Sequence, residues 1–134
     1  MIFIGILMLT TNQIAMFDIA VQSRVHFAIK YVSLNVKQTA AIFNGFLEPL
    51  AAEGLVKDMD DIQEWLQEDV VNMNLDGRQI RNIITSALAL ARAQKKERLE
   101  KGHIKTVLTN VKEFKDEFIR QIEKYKTEQM GMIR

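Results

Sequence analysis

The chain has no cysteine. Disulfides and thiolate metal sites are thereby excluded, and the absence fits a reducing, intracellular compartment. Its two histidines, His26 and His103, stand far apart without His or Cys neighbours at ligand spacing, so no metal is expected and both read as surface or strand residues. Charge of one sign is also missing: 18 Lys+Arg face 17 Asp+Glu, a formal net charge of +1. A nucleic-acid binder shows a clear basic excess, and a membrane span needs ~20 consecutive apolar residues. Neither is present, so neither nucleic acid nor membrane is expected as a partner. No Gly-x-x-x-x-Gly-Lys-Ser/Thr loop cradles phosphates, and no strand closes on paired acids that would hold magnesium.

What is present is an ordinary globular composition, 48% hydrophobic and 26% charged over 134 residues, enough for a modest core. Met1 to Leu9 is almost wholly apolar. It lacks the basic start and small-x-small exit of a signal peptide. The unbroken run Ile2 to Thr10 instead predicts a strand covered on both faces. A chain that opens on such a strand is expected to be a fragment or truncated form of something longer. Gln13 to Gln22 predicts a turn and a short helix, and alternation from Val25 to Val32 predicts a half-buried strand.

From Ser33 the period becomes helical, and a domain boundary is placed there, dividing residues 1–33 from 34–130. Asn35 with Gln38 forms a capping-box start, followed by an apolar stripe of Val36, Ala40, Phe43, Phe46, Leu47 and Leu50. Pro49, the only proline, kinks or ends this helix, and Gly54 stops it. Asp58, Asp60 and Asp61 read as caps of a second helix rather than a metal cluster, with Ile62, Trp65, Leu66 and Val70 inward. A third helix starts at Asp76 with Gln79 three residues on, burying Ile80, Ile83, Ile84, Ala87, Leu88 and Ala91. The charge run Lys95 to Lys101 reads as a solvated helix end and Gly102 as the break. A fourth helix runs from His103 to about Thr127, with Ile104, Val107, Leu108, Val111, Phe114, Phe118, Ile122 and Tyr125 inward; its near-heptad spacing is expected to be buried in its own bundle, the alternative being a coiled coil with a partner. The prediction is a mostly α (α+β) fold: a two-strand remnant followed by a four-helix bundle.

Three short motifs stand in order on this framework: Thr10-Thr11-Asn12, Ser23-Arg24, and Asp76-Gly77-Arg78-Gln79-Ile80-Arg81-Asn82. Together they resemble the C-terminal part of an AAA+ ATPase module, the end of its α/β core plus its helical lid. The third motif resembles most a group of large AAA-type ATPases common in fungi. The resemblance runs from about Phe3 to Phe118. It implies that Asn12 is sensor 1, Arg24 an arginine finger and Arg78 sensor 2. Two departures stand out: Val25 replaces the cysteine of a clamp-loader Ser-Arg-Cys, and Gly77 is shifted by one from a Gly-Ala-Arg pattern.

Each residue has a chemical case and a plain alternative. An asparagine amide at a strand's end can orient water without repelling phosphate, or Asn12 simply turns the chain. A guanidinium stabilises phosphoryl charge in the transition state, or Arg24 is an ordinary surface arginine. Arg78 falls where the helix dipole disfavours a cation by ~0.3–1 kcal/mol and where a phosphate is favoured; otherwise it is an exposed side chain that tolerates the penalty. Gly77 and Arg81 would complete that anion site, or Arg81 pairs with Asp58, Asp60 or Asp61.

The resemblance implies ATP and Mg2+ as cofactors of the complete module, with neither bound tightly by this chain alone. It implies AAA+ subunits in a hexameric ring as partners. The expected function is a fragment of an ATPase that couples hydrolysis to remodelling and does not hydrolyse ATP by itself. The alternative is a non-catalytic, lid-like module that regulates a full-length AAA+ partner. A nucleic-acid binder using Arg92, Arg98 and Lys95 to Lys101 is a third reading, opposed by the glutamates in that run. The two strands are not neighbours in an AAA+ sheet, so they are expected to pair directly, to pair elsewhere, or to stay unpaired.

Overall fold

The structure, a computed structural model, describes residues 4–70 and 72–132; the start of the first expected strand, at Ile2 and Phe3, lies outside them. The chain divides into two units, Met1–Val32 and Ser33–Arg134. It is mostly helical, with five α-helices among the described residues.

In the first unit the described residues contain one 3-10 turn, Ile14–Met16, and one short helix, α1 (Ile19–Gln22). Asp18 caps α1 by accepting from the Ala20 N–H, and the Ser23 hydroxyl closes it by donating to the Ala20 carbonyl at 2.9 Å. Neither expected strand forms: residues 4–10 and 25–32 have no ladder, and Ile4, Leu7, Phe27 and Tyr31 are exposed. A continuous apolar run suits the middle of a parallel sheet, where each strand needs neighbours to satisfy its N–H and C=O groups. The described residues of this unit supply no such neighbour, so the third of the expected outcomes, unpaired segments, is the one observed.

The second unit holds α2 (Val36–Ala52), α3 (Met59–Trp65), α4 (Gly77–Ala93) and α5 (Lys101–Met132). α2 starts as expected. Asn35 Oδ1 accepts from the Gln38 N–H at 2.8 Å while Gln38 Oε1 accepts from the Asn35 N–H at 3.0 Å. Pro49 does not end it; the helix runs three residues further. The stop is Gly54, at φ +74, where the N–H groups of Leu55 and Gly54 return to the carbonyls of Leu50 and Ala51. α3 starts within the Asp cluster as expected, with Asp60 and Asp61 in its first turn, but Asp58, at the cap position with φ +51, accepts no cap bond.

α3 passes straight into a π-helical turn, Leu66–Val70. The wider turn keeps Ile62, Leu66 and Val70, spaced by four, on one buried face. α4 lies at the centre and packs against both α2 and α5. Of its predicted stripe, Ile80, Ile83, Ile84, Ala87 and Ala91 are buried against Phe43 and Leu47 of α2 and Ile104 and Leu108 of α5, and Leu88 is partly buried at the edge. Each buried Ile or Leu side chain contributes roughly 1.5–3 kcal/mol by leaving water, each alanine less. Trp65 is only partly buried, against the edge of this core, and Phe46 is exposed.

Three expectations about the C-terminal part are corrected. The break between α4 and α5 is not Gly102, which lies inside α5, but Gln94–Lys95. Lys95 takes φ +57, and the N–H groups of Lys96 and Lys95 bond back to Ala91 and Arg92. The charge run is not a solvated helix end either: Leu99 within it is fully buried. Its N–H donates to the Leu55 carbonyl and its carbonyl accepts from the Lys57 N–H at 2.9 Å, a parallel bridge joining the α2–α3 and α4–α5 loops. The third concerns α5. Its apolar stripe joins the core only as far as Val111; Phe114 (74% exposed), Phe118 (55%), Ile122 and Tyr125 face solvent. Helical spacing marks which residues share a face; burial also requires a partner element, and the described residues of this unit place none there.

Candidate functional site

The start of α4 is the most ordered of the expected sites. Asn74, at φ +54, turns the chain into it. Asp76 and Gln79 form a reciprocal box: Asp76 Oδ1 accepts from the Gln79 N–H at 2.8 Å and Gln79 Oε1 accepts from the Asp76 N–H at 2.9 Å. Leu75 before the cap and Ile80 four positions into the helix are both buried in the core, the placement of a hydrophobic staple. These contacts fix where Gly77 and Arg78, the first two helical residues, stand.

The box satisfies the N–H groups of Asp76 and Gln79 and leaves those of Gly77 and Arg78. Among the described residues nothing accepts from these two. The Arg78 side chain is exposed and forms no ion pair there. A fixed positive charge thus stands beside two free N–H donors at the positive end of a 17-residue helix dipole. Arg81 is also exposed and lies three positions on, so it shares a face with Arg78. The pairing of Arg81 with Asp58, Asp60 or Asp61 is not made; Asp61 pairs with Lys101 at 2.9 Å. A Cβ built on Gly77 would meet nothing within 4 Å, so packing does not require glycine there.

Asn12 and Arg24 belong to the first unit, and both are exposed. Thr11 Oγ1 accepts from the Gln13 N–H at 3.0 Å, so the Thr-Thr-Asn segment is a local turn. Arg24 directly follows the Ser23 cap of α1, its N–H bonded to the Val21 carbonyl. Among the described residues its side chain forms no ion pair.

A shallow open groove elsewhere on the second unit is lined by Lys57, Asp58, Asp61, Glu100, Lys101 and Gly102. Its charges neutralise one another through Lys101–Asp61 and a longer Lys57–Glu100 pair at 3.7 Å, so it has no anion-binding character. Among the described residues no group of three or more His, Cys, Asp or Glu is placed to hold a metal, and no helix is long and apolar enough to cross a membrane.

His103 is the residue that sequence reasoning misjudged most. It is buried in α5, not at a surface or in a strand. Its Nδ1 accepts from the Glu100 N–H at 2.9 Å, which leaves the ring proton on Nε2 to donate to Gln94 Oε1 at 3.1 Å. The available signal was its position, three residues after the helix cap, where Gln38 and Gln79 stand in α2 and α4.

No curated protein and no solved structure is significantly similar to the chain. One protein-family model does match, that of the fungal AAA+ ATPase lid domain, over residues 34–126.

Proposed function

This chain belongs to the fungal AAA+ ATPase lid-domain family, and on that premise we propose that its helical unit acts as the nucleotide-sensing lid of an AAA+ ATPase. The observation that carries this reading is the start of α4: an unpaired, exposed Arg78 beside the free N–H groups of Gly77 and Arg78. Those groups suit a phosphate, because backbone donors and a guanidinium fork both bind its oxygens. In the complete ATPase, Arg78 contacts the γ-phosphate from the lid, with Arg81 alongside. Asn12 orients the attacking water, and Arg24 completes the site of a neighbouring subunit in a ring. A hinge at residues 33–36 lets the lid rotate with nucleotide state, and the four helices work as one bundle.

ATP is then the substrate of the whole machine, and hydrolysis is coupled to remodelling. Phosphoryl transfer is catalysed mainly by positioning and electrostatics. In this reading the phosphate loop and the magnesium ligands come from residues outside this chain, which alone hydrolyses no ATP and binds it only weakly. Among the described residues no acidic cluster fits magnesium, and no step is assigned to it.

The test is an NMR titration of the protein with inorganic triphosphate. The reading expects shifts concentrated at the Gly77 and Arg78 amides and lost in Arg78→Ala. Shifts spread over the lysine-rich surfaces, or none at millimolar ligand, would contradict it.

A second reading rests on the missing phosphate loop: the chain is a non-catalytic module that docks on a complete AAA+ subunit and regulates it. A change in a complete ATPase's turnover on adding this chain, lost in Arg24→Ala, would favour that reading.

A further inference from the structure

The exposed half of α5 has an order that the core does not explain. Val111, Phe118 and Tyr125 recur at seven-residue intervals, and so do Val107, Phe114, Gln121 and Glu128. Val107 and Val111 touch the core, and beyond them the stripe continues into solvent through Phe114, Phe118, Ile122 and Tyr125. A two-position heptad is the pattern of a seam between two helices.

The charges flanking the stripe indicate which helix fills it. In a parallel, in-register pair, Glu117 would face Ile122 of the second copy, Lys124 would face Gln129 and Lys115 would face Asn110, giving no ion pair. In an antiparallel pair centred between Phe118 and Gln121, Phe114 meets the second copy's Tyr125, and Phe118 meets its Gln121. Glu117 then flanks Lys124 of the second copy, and the two-fold axis repeats that pair. The seam is self-complementary: two Phe114–Tyr125 layers, two mixed Phe118–Gln121 layers between them and two opposite-charge pairs. At either end Val111 meets Glu128, which closes the apolar contact.

We propose that α5 pairs with α5 of a second copy of this chain, antiparallel, through Phe114, Phe118 and Tyr125, with Glu117 and Lys124 setting the direction. The contact uses no residue of the α4 site, so it stands or falls independently of nucleotide sensing.

Sedimentation velocity of the full chain over a range of concentrations tests the pairing. The wild type should reach twice the 15.4 kDa mass of one chain. Glu117→Lys alone, or Lys124→Glu alone, places like charges opposite one another twice and should weaken the dimer roughly tenfold. The double variant restores opposite signs and should recover wild-type affinity. Phe118→Glu should abolish pairing with helicity unchanged, since Phe118 lies outside the core. A wild type that stays monomeric would overturn the proposal. So would a double variant no tighter than the singles, or association that survives Phe118→Glu.

Discussion

Gln94 and His103 join the end of α4 to the start of α5: the Gln94 carboxamide oxygen accepts from His103 Nε2 at 3.1 Å, and Nδ1 of the same ring accepts from the Glu100 N–H. One side chain closes a helix start and ties it to the helix before. His103→Ala should therefore lower unfolding stability by about 1–2 kcal/mol, because the buried ring gives up two bonds, one to exposed Gln94 and one to half-buried Glu100. His103→Gln should cost less, since a glutamine at the same position of α2 and α4 accepts from the cap N–H. Urea denaturation of both variants checks the order; equal losses would mean that the ring's packing, not its bonds, matters.

Lys95 ends α4 in a left-handed conformation that a side chain disfavours. Lys95→Gly should stabilise the protein by about 0.5–1 kcal/mol. Gly54→Ala, at the matching position after α2, should destabilise it by a similar amount. Thermal melts of the two variants should move in opposite directions.

At the candidate site, structural and functional roles separate cleanly. Asp76→Ala removes a cap and should cost ~1 kcal/mol. Arg78→Ala removes an unpaired cation from the positive end of a helix and should leave stability unchanged or raise it by up to ~1 kcal/mol. Clear destabilisation by Arg78→Ala would show that the arginine is structural.

Amide hydrogen exchange should separate the two units. Residues 4–10 and 25–32 have no ladder bonds and should exchange almost freely, while α4 should be the most protected element. Strong protection of residues 25–32 would mean that a strand does form there.

The starts of α2 and α4 were legible because capping is local chemistry: Asn35 with Gln38 and Asp76 with Gln79 lie three residues apart and need nothing else. The α4 stripe was legible because all of its face is covered. Leu99 was hidden, since its burial depends on a bridge to Leu55 and Lys57, some 40 residues away, and its neighbours are all charged. The outward face of α5 and the two apolar segments of the first unit were misread for one reason: a pattern records the surroundings a segment suits, not whether they are present. The family resemblance carried by Asp76-Gly77-Arg78 agrees with the match over residues 34–126.

The most direct test of the central claim, a nucleotide-sensing lid with no catalysis of its own, is ATP turnover by the purified chain beside its Arg78→Ala variant. The account predicts no turnover above background for either. Turnover by the wild type that Arg78→Ala abolishes would contradict it, because the chain would then contain a complete catalytic site.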